Sequence, residues 1–310
     1  MPRPPLLALT LCAALVTPAA SSAGFVFNDG GTHSIGSNTD FVTVQNTSPP
    51  PGSPTTLNVL GGTNVGAASV YGTSRIDFQG GWANSVDTYG SSTAILRGEI
   101  PFTLNFFGTL RAHDASQMTF AGIFGPLFLG DVYGYDDARL LTVYAYVAHV
   151  YLEDRSVLDV TGSLNVFGSV NLTDNAVANV ATWFDADGFS NATVYGNATL
   201  SIGRIEGIGP NQLTVVQSGN GRVLLGQQFI QIEDVFYNPY QIPRLVFQDG
   251  VNRSTSPSQP DYPGVVFYYG DPDNVSIAPA PPALALALSG VAAAGLFRLA
   301  RRLRMVTANC

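Results

Sequence analysis

The chain of 310 residues contains no lysine; all 14 of its basic residues are arginine. It has two cysteines, Cys12 and Cys310, one near each end. The body between them therefore holds neither a disulfide framework nor a thiolate metal site. Secretion stays allowed, because a body of this length does not depend on covalent staples. The three histidines, His33, His113 and His149, are scattered, and only His113 adjoins an acid, Asp114. Neighbours along a strand point to opposite faces, which argues against a shared site there. No Gly-x-Ser-x-Gly elbow, zincin helix or phosphate loop occurs.

Positive charge is scarce where the acids are. All 22 acids lie between residues 24 and 280 with nine arginines, a net charge of −13 for that segment against −8 for the chain. Such a body repels phosphate, so nucleic acid is excluded as a partner. What the chain does have is apolar residues, 45% of it, and 33 glycines. That is enough for a core interrupted by many turns.

One phrase recurs between Val70 and Ile202. It has Gly or Asp, a small residue two places on, and inward residues four and six places on. It reads Gly72, Ser74, Ile76, Phe78, then Gly90, Ser92, Ala94, Leu96, then Asp114, Ser116, Met118, Phe120. Next come Asp137, Arg139, Leu141, Val143, then Asp154, Ser156, Leu158, Val160, then Asp174, Ala176, Ala178, Val180. Weaker copies start at Gly188 and Gly196. Period 2 within each phrase means a strand with alternate faces. A leading Gly or Asp suits a corner that needs left-handed backbone or a side-chain hydrogen bond. Repeats of roughly 20 residues without helical periodicity fit a parallel β-helix, whereas propeller blades are longer and leucine-rich repeats need a pattern absent here.

The expectation is an all-β chain: an irregular right-handed parallel β-helix with N- and C-terminal caps, followed by one short C-terminal transmembrane helix. Residues 1–23 read as a signal peptide, with Arg3, an apolar stretch from Leu6 to Val16, and cleavage after Ala23. That implies export by the Sec translocon. Residues 24–69 read as an N-terminal cap and first rung, 70–232 as the repeat tract, and 233–277 as cap strands. Solenoid ends need covering because they expose unpaired strand groups. Within the tract, two inserts lengthen the rungs, one carrying Pro101, Phe102, Leu104, Phe106 and Phe107, the other running from Gly122 to Asp131.

Residues 278–304 form the most specific signal. Ala278-Pro279-Ala280-Pro281-Pro282 is a stiff linker. Ala283 to Phe297 carries no charge, and as a helix it spans about 22 Å, short of a bilayer core of about 30 Å. Arg298, Arg301, Arg302 and Arg304 follow, which keeps that end cytoplasmic and the body outside. Residues 305–310 are a tail. A proline motif, short apolar helix and terminal Arg cluster, paired with an N-terminal signal, resemble the PEP-CTERM sorting signal of Gram-negative bacteria. Ala280 stands where that motif usually has Glu, and six residues trail the Arg cluster. The resemblance implies an exosortase-type processing enzyme as partner, cleavage near Pro279 and Pro281, and release to the cell surface or an exopolysaccharide matrix. A plain single-pass membrane anchor is the other reading of the same residues.

Asp114, Asp137, Asp154 and Asp174 recur at one corner and form a carboxylate column if the rungs stack in register. They are the metal candidates, calcium being bound by oxygen ligands; isolated Asp is equally a turn residue. Asp185-Ala186-Asp187-Gly188 opens like a calcium loop, but Phe189 and Ser190 break the EF-hand pattern. No cofactor is expected. The expected function is a non-enzymatic, exported surface or matrix protein that contacts exopolysaccharide. The alternatives are a β-helix enzyme acting on polysaccharide, with acids grouped in one groove, and a permanently anchored envelope protein.

Overall fold

The computed structural model describes residues 24–47, 52–98, 106–122, 127–185, 190–207, 212–226, 229–234, 244–248 and 265–277. Residues 1–23 and 278–310, with the expected leader, linker and C-terminal helix, lie outside them. The strands are β1 (Phe25–Phe27), β2 (Thr32–Ile35), β3 (Thr39–Val44), β4 (Thr56–Leu60), β5 (Asn64–Val70), β6 (Arg75–Gln79), β7 (Trp82–Thr88), β8 (Thr93–Gly98), β9 (Phe106–Ala112), β10 (Gln117–Gly122) and β11 (Leu127–Gly134). They continue as β12 (Arg139–Leu152), β13 (Val157–Leu172), β14 (Val177–Asp185), β15 (Ser190–Val194), β16 (Thr199–Gly207), β17 (Gln212–Gln217), β18 (Arg222–Leu225), β19 (Phe229–Asp234), β20 (Arg244–Gln248), β21 (Val265–Tyr269) and β22 (Val275–Ile277). One 3-10 turn, Pro272–Asn274, is the helical element among the described residues.

The chain is a parallel β-solenoid. Each strand from β1 to β9 pairs in parallel with the strand two places on. Two stacks result, joined turn by turn. In β12 and β13 the chain passes from one stack to the other inside a single bulged strand. A third side is thereby visible between them, where Ala145–Val147 pairs with Leu127–Leu129 and, across a register shift, Leu164 and Asn165 pair with Trp183 and Phe184. From Gly72 to Gly219 eight equivalent corners bound seven turns. Before them, β1 to β5 already lie in the same parallel stacks. After them, β21 and β22 extend those stacks, and β20 and then β19 add antiparallel strands beside β21.

Alternation explains the core. Ile76, Phe78, Ala94, Leu96, Met118, Phe120, Leu158, Val160, Ala178, Val180, Leu200 and Ile202 are all buried, as the repeated phrase requires. Phe78 meets Phe107 edge-on at 5.4 Å. Phe107 thus belongs to the core and starts a regular strand with Phe106; the rest of that expected insert lies outside the described residues. Apolar burial of this kind stabilises by about 25 cal/mol per Å².

One turn is out of phase with the sequence reading. The left-handed corner residue is Asp136, not Asp137, and the inward residues are Ala138, Leu140 and Thr142 rather than Arg139, Leu141 and Val143. Two adjacent aspartates offer two starting points, and a buried Thr142 hides the true alternation among apolar neighbours. Gly188 of the expected copy lies outside the described residues; the strand after it, β15, pairs with the last part of β13 and with β17, on the stack that precedes the corner.

Two glycine columns mark the bends between the sides. A Cβ on Gly108 would meet the carbonyl oxygen of Asn84, and one on Gly130 that of Gly108. At the other bend, Gly162 and Gly203 press on the carbonyls of Val143 and Ala181. Stacked rungs leave no room there for a side chain.

Candidate functional site

The most regular surface feature is the corner joining the two stacks. It is a four-residue turn at each of eight places, starting with Tyr71, Tyr89, His113, Tyr135, Glu153, Thr173, Tyr195 and Ser218. The second residue has a left-handed backbone: Gly72, Gly90, Gly196 and Gly219 at φ 66–71°, and Asp114, Asp136, Asp154 and Asp174 at φ 55–59°. Asp tolerates this region better than most side chains. The fourth residue, Ser74, Ser92, Ser116, Ala138, Ser156, Ala176 or Ala198, is fully buried inside the corner, so it must be small. Its backbone N–H closes the turn onto the first residue's carbonyl, as from Ser116 to His113 at 3.1 Å.

The structure stacks three columns here. In the first, one ring follows another: Tyr71 to Tyr89 at 4.9 Å, Tyr89 to His113 at 4.6 Å and His113 to Tyr135 at 4.8 Å, nearly parallel. Tyr133 continues the row from Tyr135 and stacks on Tyr151 at 4.9 Å. The Arg111 guanidinium lies 5.6 Å from the Tyr133 ring centre and pairs with Asp87 at 3.3 Å. Burial in the row pushes up the phenol of Tyr89, helped by Asp87; that of Tyr133, helped by Asp131; and that of Tyr135, helped by Glu153. His113 Nε2 is shielded in the stack without a partner.

The second column is acidic. Asp114 Oδ2 accepts the N–H of Gly90 at 2.8 Å, Asp136 Oδ2 that of Asp114 at 3.2 Å, and Asp154 Oδ2 that of Asp136 at 3.2 Å. Each carboxylate thus satisfies the corner one turn earlier. Asp174 instead accepts from the Thr173 hydroxyl at 3.2 Å. In the third column Asp137 pairs with Arg155 at 2.6 Å, and Asn175, Asn197 and Asn220 link by amide hydrogen bonds of 3.2 and 3.1 Å. Asp114, Asp136, Asp137, Asp154, Arg155 and Asn175 line an open depression of about 590 Å³.

Of the aspartates expected as metal candidates, Asp114, Asp154 and Asp174 occupy equivalent corners, while Asp137 belongs to the neighbouring column beside Arg155. No group of three or more His, Cys, Asp or Glu among the described residues is arranged to hold a metal ion. His149 Nδ1 accepts the Ser169 N–H at 3.2 Å, and His33 meets Asp29 Oδ1 at 2.7 Å. The hydrogen bond from His33 holds the Asp29 carboxyl below its usual value. Ala23, Pro279, Pro281, Arg298, Arg301, Arg302 and Arg304 lie outside the described residues.

The aromatic row went unread in the sequence. Its signal was there: the residue just before the corner Gly or Asp is Tyr or His at 71, 89, 113, 135 and 195. Recognising it required the correct corner phase. No protein-family model matches the chain, no curated protein matches it, and no solved structure matches it.

Proposed function

We propose that this is an exported, non-enzymatic protein of the cell surface or extracellular matrix, whose solenoid contacts exopolysaccharide. The observation that carries the reading is the repetition of side-chain columns along one edge over many turns. A row of equivalent groups favours many weak contacts to a repetitive polymer, which add through avidity. The leader 1–23 sends the chain through the Sec translocon. Residues 283–297 form a short membrane helix, and an exosortase-type enzyme removes the tail near Pro279 and Pro281. The coil is right-handed, as nearly all parallel crossovers are. Residues 24–69 supply the N-terminal cap and first rung, and residues 233–277 the C-terminal cap strands.

Mass spectrometry of the exported protein from cells with and without an exosortase tests the sorting half. Loss of the C-terminus near Pro281 only when the enzyme is present supports it; retention through Arg304 in both removes it. Retention together with fractionation into the inner membrane favours the permanently anchored alternative.

A second reading, an enzyme acting on polysaccharide, draws on the depression that groups four aspartates with Arg155. Against it, three of those carboxylates accept backbone N–H groups and the fourth pairs with Arg155. Release of new reducing ends from polysaccharide, abolished by Asp137→Asn, would establish this reading.

A further inference from the structure

The aromatic row at the corner turns its ring faces toward one another, so both faces of its inner rings Tyr89 and His113 are already occupied by the turns above and below. The middle side of β12 and β13 is built differently. There the Tyr144 ring rests on the bare backbone of Gly162, where an added Cβ would come within 3.1 Å of it. Tyr144 remains 51% exposed. One turn on, Phe167 is 47% exposed and stacks on Tyr146 through one face, with ring centres 5.7 Å apart. Both rings thus offer apolar surface to solvent within two adjacent turns.

Between them stands an amide without partners. Asn165 lies between the inward residues Leu164 and Val166, so alternation aims it outward, yet it is only 3% exposed. Neither its Oδ1 nor its Nδ2 has a hydrogen-bond partner. In the backbone ladder its partners are Tyr146 and Phe184. A buried amide left unsatisfied costs about 1–3 kcal/mol, so it calls for an explanation. Segments 143–149 and 161–168 contain no Asp, Glu, Lys or Arg.

We infer that this side of β12 and β13 is a subsite for a neutral glycan chain. The inference rests on the polysaccharide-contact reading above and adds to it a subsite away from the corner columns, with its ligand class. Tyr144 and Phe167 supply apolar ring surface for the C–H faces of sugars. The Asn165 amide, both donor and acceptor, matches adjacent hydroxyls. A hydroxyl reaches it when the side chains that cover it move aside. The ligand is neutral because the patch has no cation to pair with a carboxylated sugar, and the acidic body repels polyanions.

Titration of the intact chain with a neutral β-glucan and with a polyuronate tests this. The expected result is binding to the glucan alone. Tyr144→Ala and Phe167→Ala each weaken it by about tenfold. Asn165→Leu weakens binding similarly while raising the thermal midpoint, because it removes an orphan amide that serves only the ligand. That opposite movement is one that a purely structural asparagine would not give. Full glucan affinity in all three variants, with native circular dichroism, overturns the subsite but leaves polysaccharide contact standing elsewhere. Failure of the unaltered chain to bind either polymer removes both. Binding of the polyuronate alone overturns the neutral assignment. Self-association abolished by Tyr144→Ala, without glucan binding, makes the face an interface between copies and overturns it as well.

Discussion

The two ways in which the chain passes between its stacks could hardly differ more in tolerance. At the left-handed corner, every connection from Tyr71 to Gly221 is four residues long. On the opposite side the connections run from two residues after β6, to seven after β8, four after β10, none within β12 and β13, and four after β14 and β16. After β18, thirty-nine residues, including β19 and β20, intervene before β21. The constant corner is tied down three times per turn, by its own closing hydrogen bond, by the backbone bond from the next turn, and by a side-chain column. The opposite side asks only that the chain leave one strand and re-enter another in register. Register is therefore set at the corner, and differences in length are absorbed across from it.

The largest effect should come from changing the length of the corner. One alanine inserted between Asp154 and Arg155 shifts the alternation of β13 by one and turns its core residues outward. The expected outcome is loss of cooperative unfolding, a cost above about 4 kcal/mol. Two glycines added to the 186–189 link should cost less than about 0.6 kcal/mol. Thermal melts followed by circular dichroism distinguish them, and equal sensitivity would erase the contrast between the two sides.

Next in size is the corner backbone itself. Asp154→Val places a β-branched residue at φ 58° and removes the acceptor for the Asp136 N–H. A loss of about 1–3 kcal/mol in urea titration is expected, whereas Asp154→Asn keeps both the backbone tolerance and an acceptor. A smaller effect concerns the aromatic row. The folded chain holds the phenol protons of Tyr89, Tyr133 and Tyr135 above the ordinary value of 10.0, first through burial. Their contribution to stability is therefore complete below about pH 10 and is lost as pH rises through the raised values. Ultraviolet titration should show these phenols ionising later than those of the unfolded chain. The smallest effect is expected for Gly196→Asp, which extends the acidic column by one turn. It should change stability by no more than about 0.5 kcal/mol, while Gly196→Val, strained at φ 66°, should be clearly worse.

Much of the fold was legible, and for an identifiable reason. Phrases such as Asp154-x-Ser156-x-Leu158-x-Val160 carry turn chemistry, interior volume and strand alternation in seven residues, so each turn declares itself locally. At Asp136 and Asp137 two signals compete, because either aspartate can start the phrase and only Asp136 has the left-handed backbone. The phrase Ser190, Ala192, Val194 resembles the others because interior strands on any side of a solenoid show the same alternation. The glycine columns at the bends were not seen, since Gly108 owes its identity to Asn84 and Gly162 to Val143, contacts made across a whole turn.

The sequence by itself determined that this is a β-solenoid: period 2 within strands, recurring corner residues, and too little charge or helical periodicity for other folds. Only the tertiary structure decided which residues share a column. Turn lengths between successive corners range from 18 residues, Gly72 to Gly90, to 24, Gly90 to Asp114. Spacing alone therefore cannot say which side chain lies above which. The backbone ladder decides, because parallel hydrogen bonding fixes register residue by residue at about 4.8 Å per rung. That register stacks Tyr71, Tyr89 and His113, aligns the Asp and Asn rows, and leaves Asn165 without a partner between Tyr146 and Phe184.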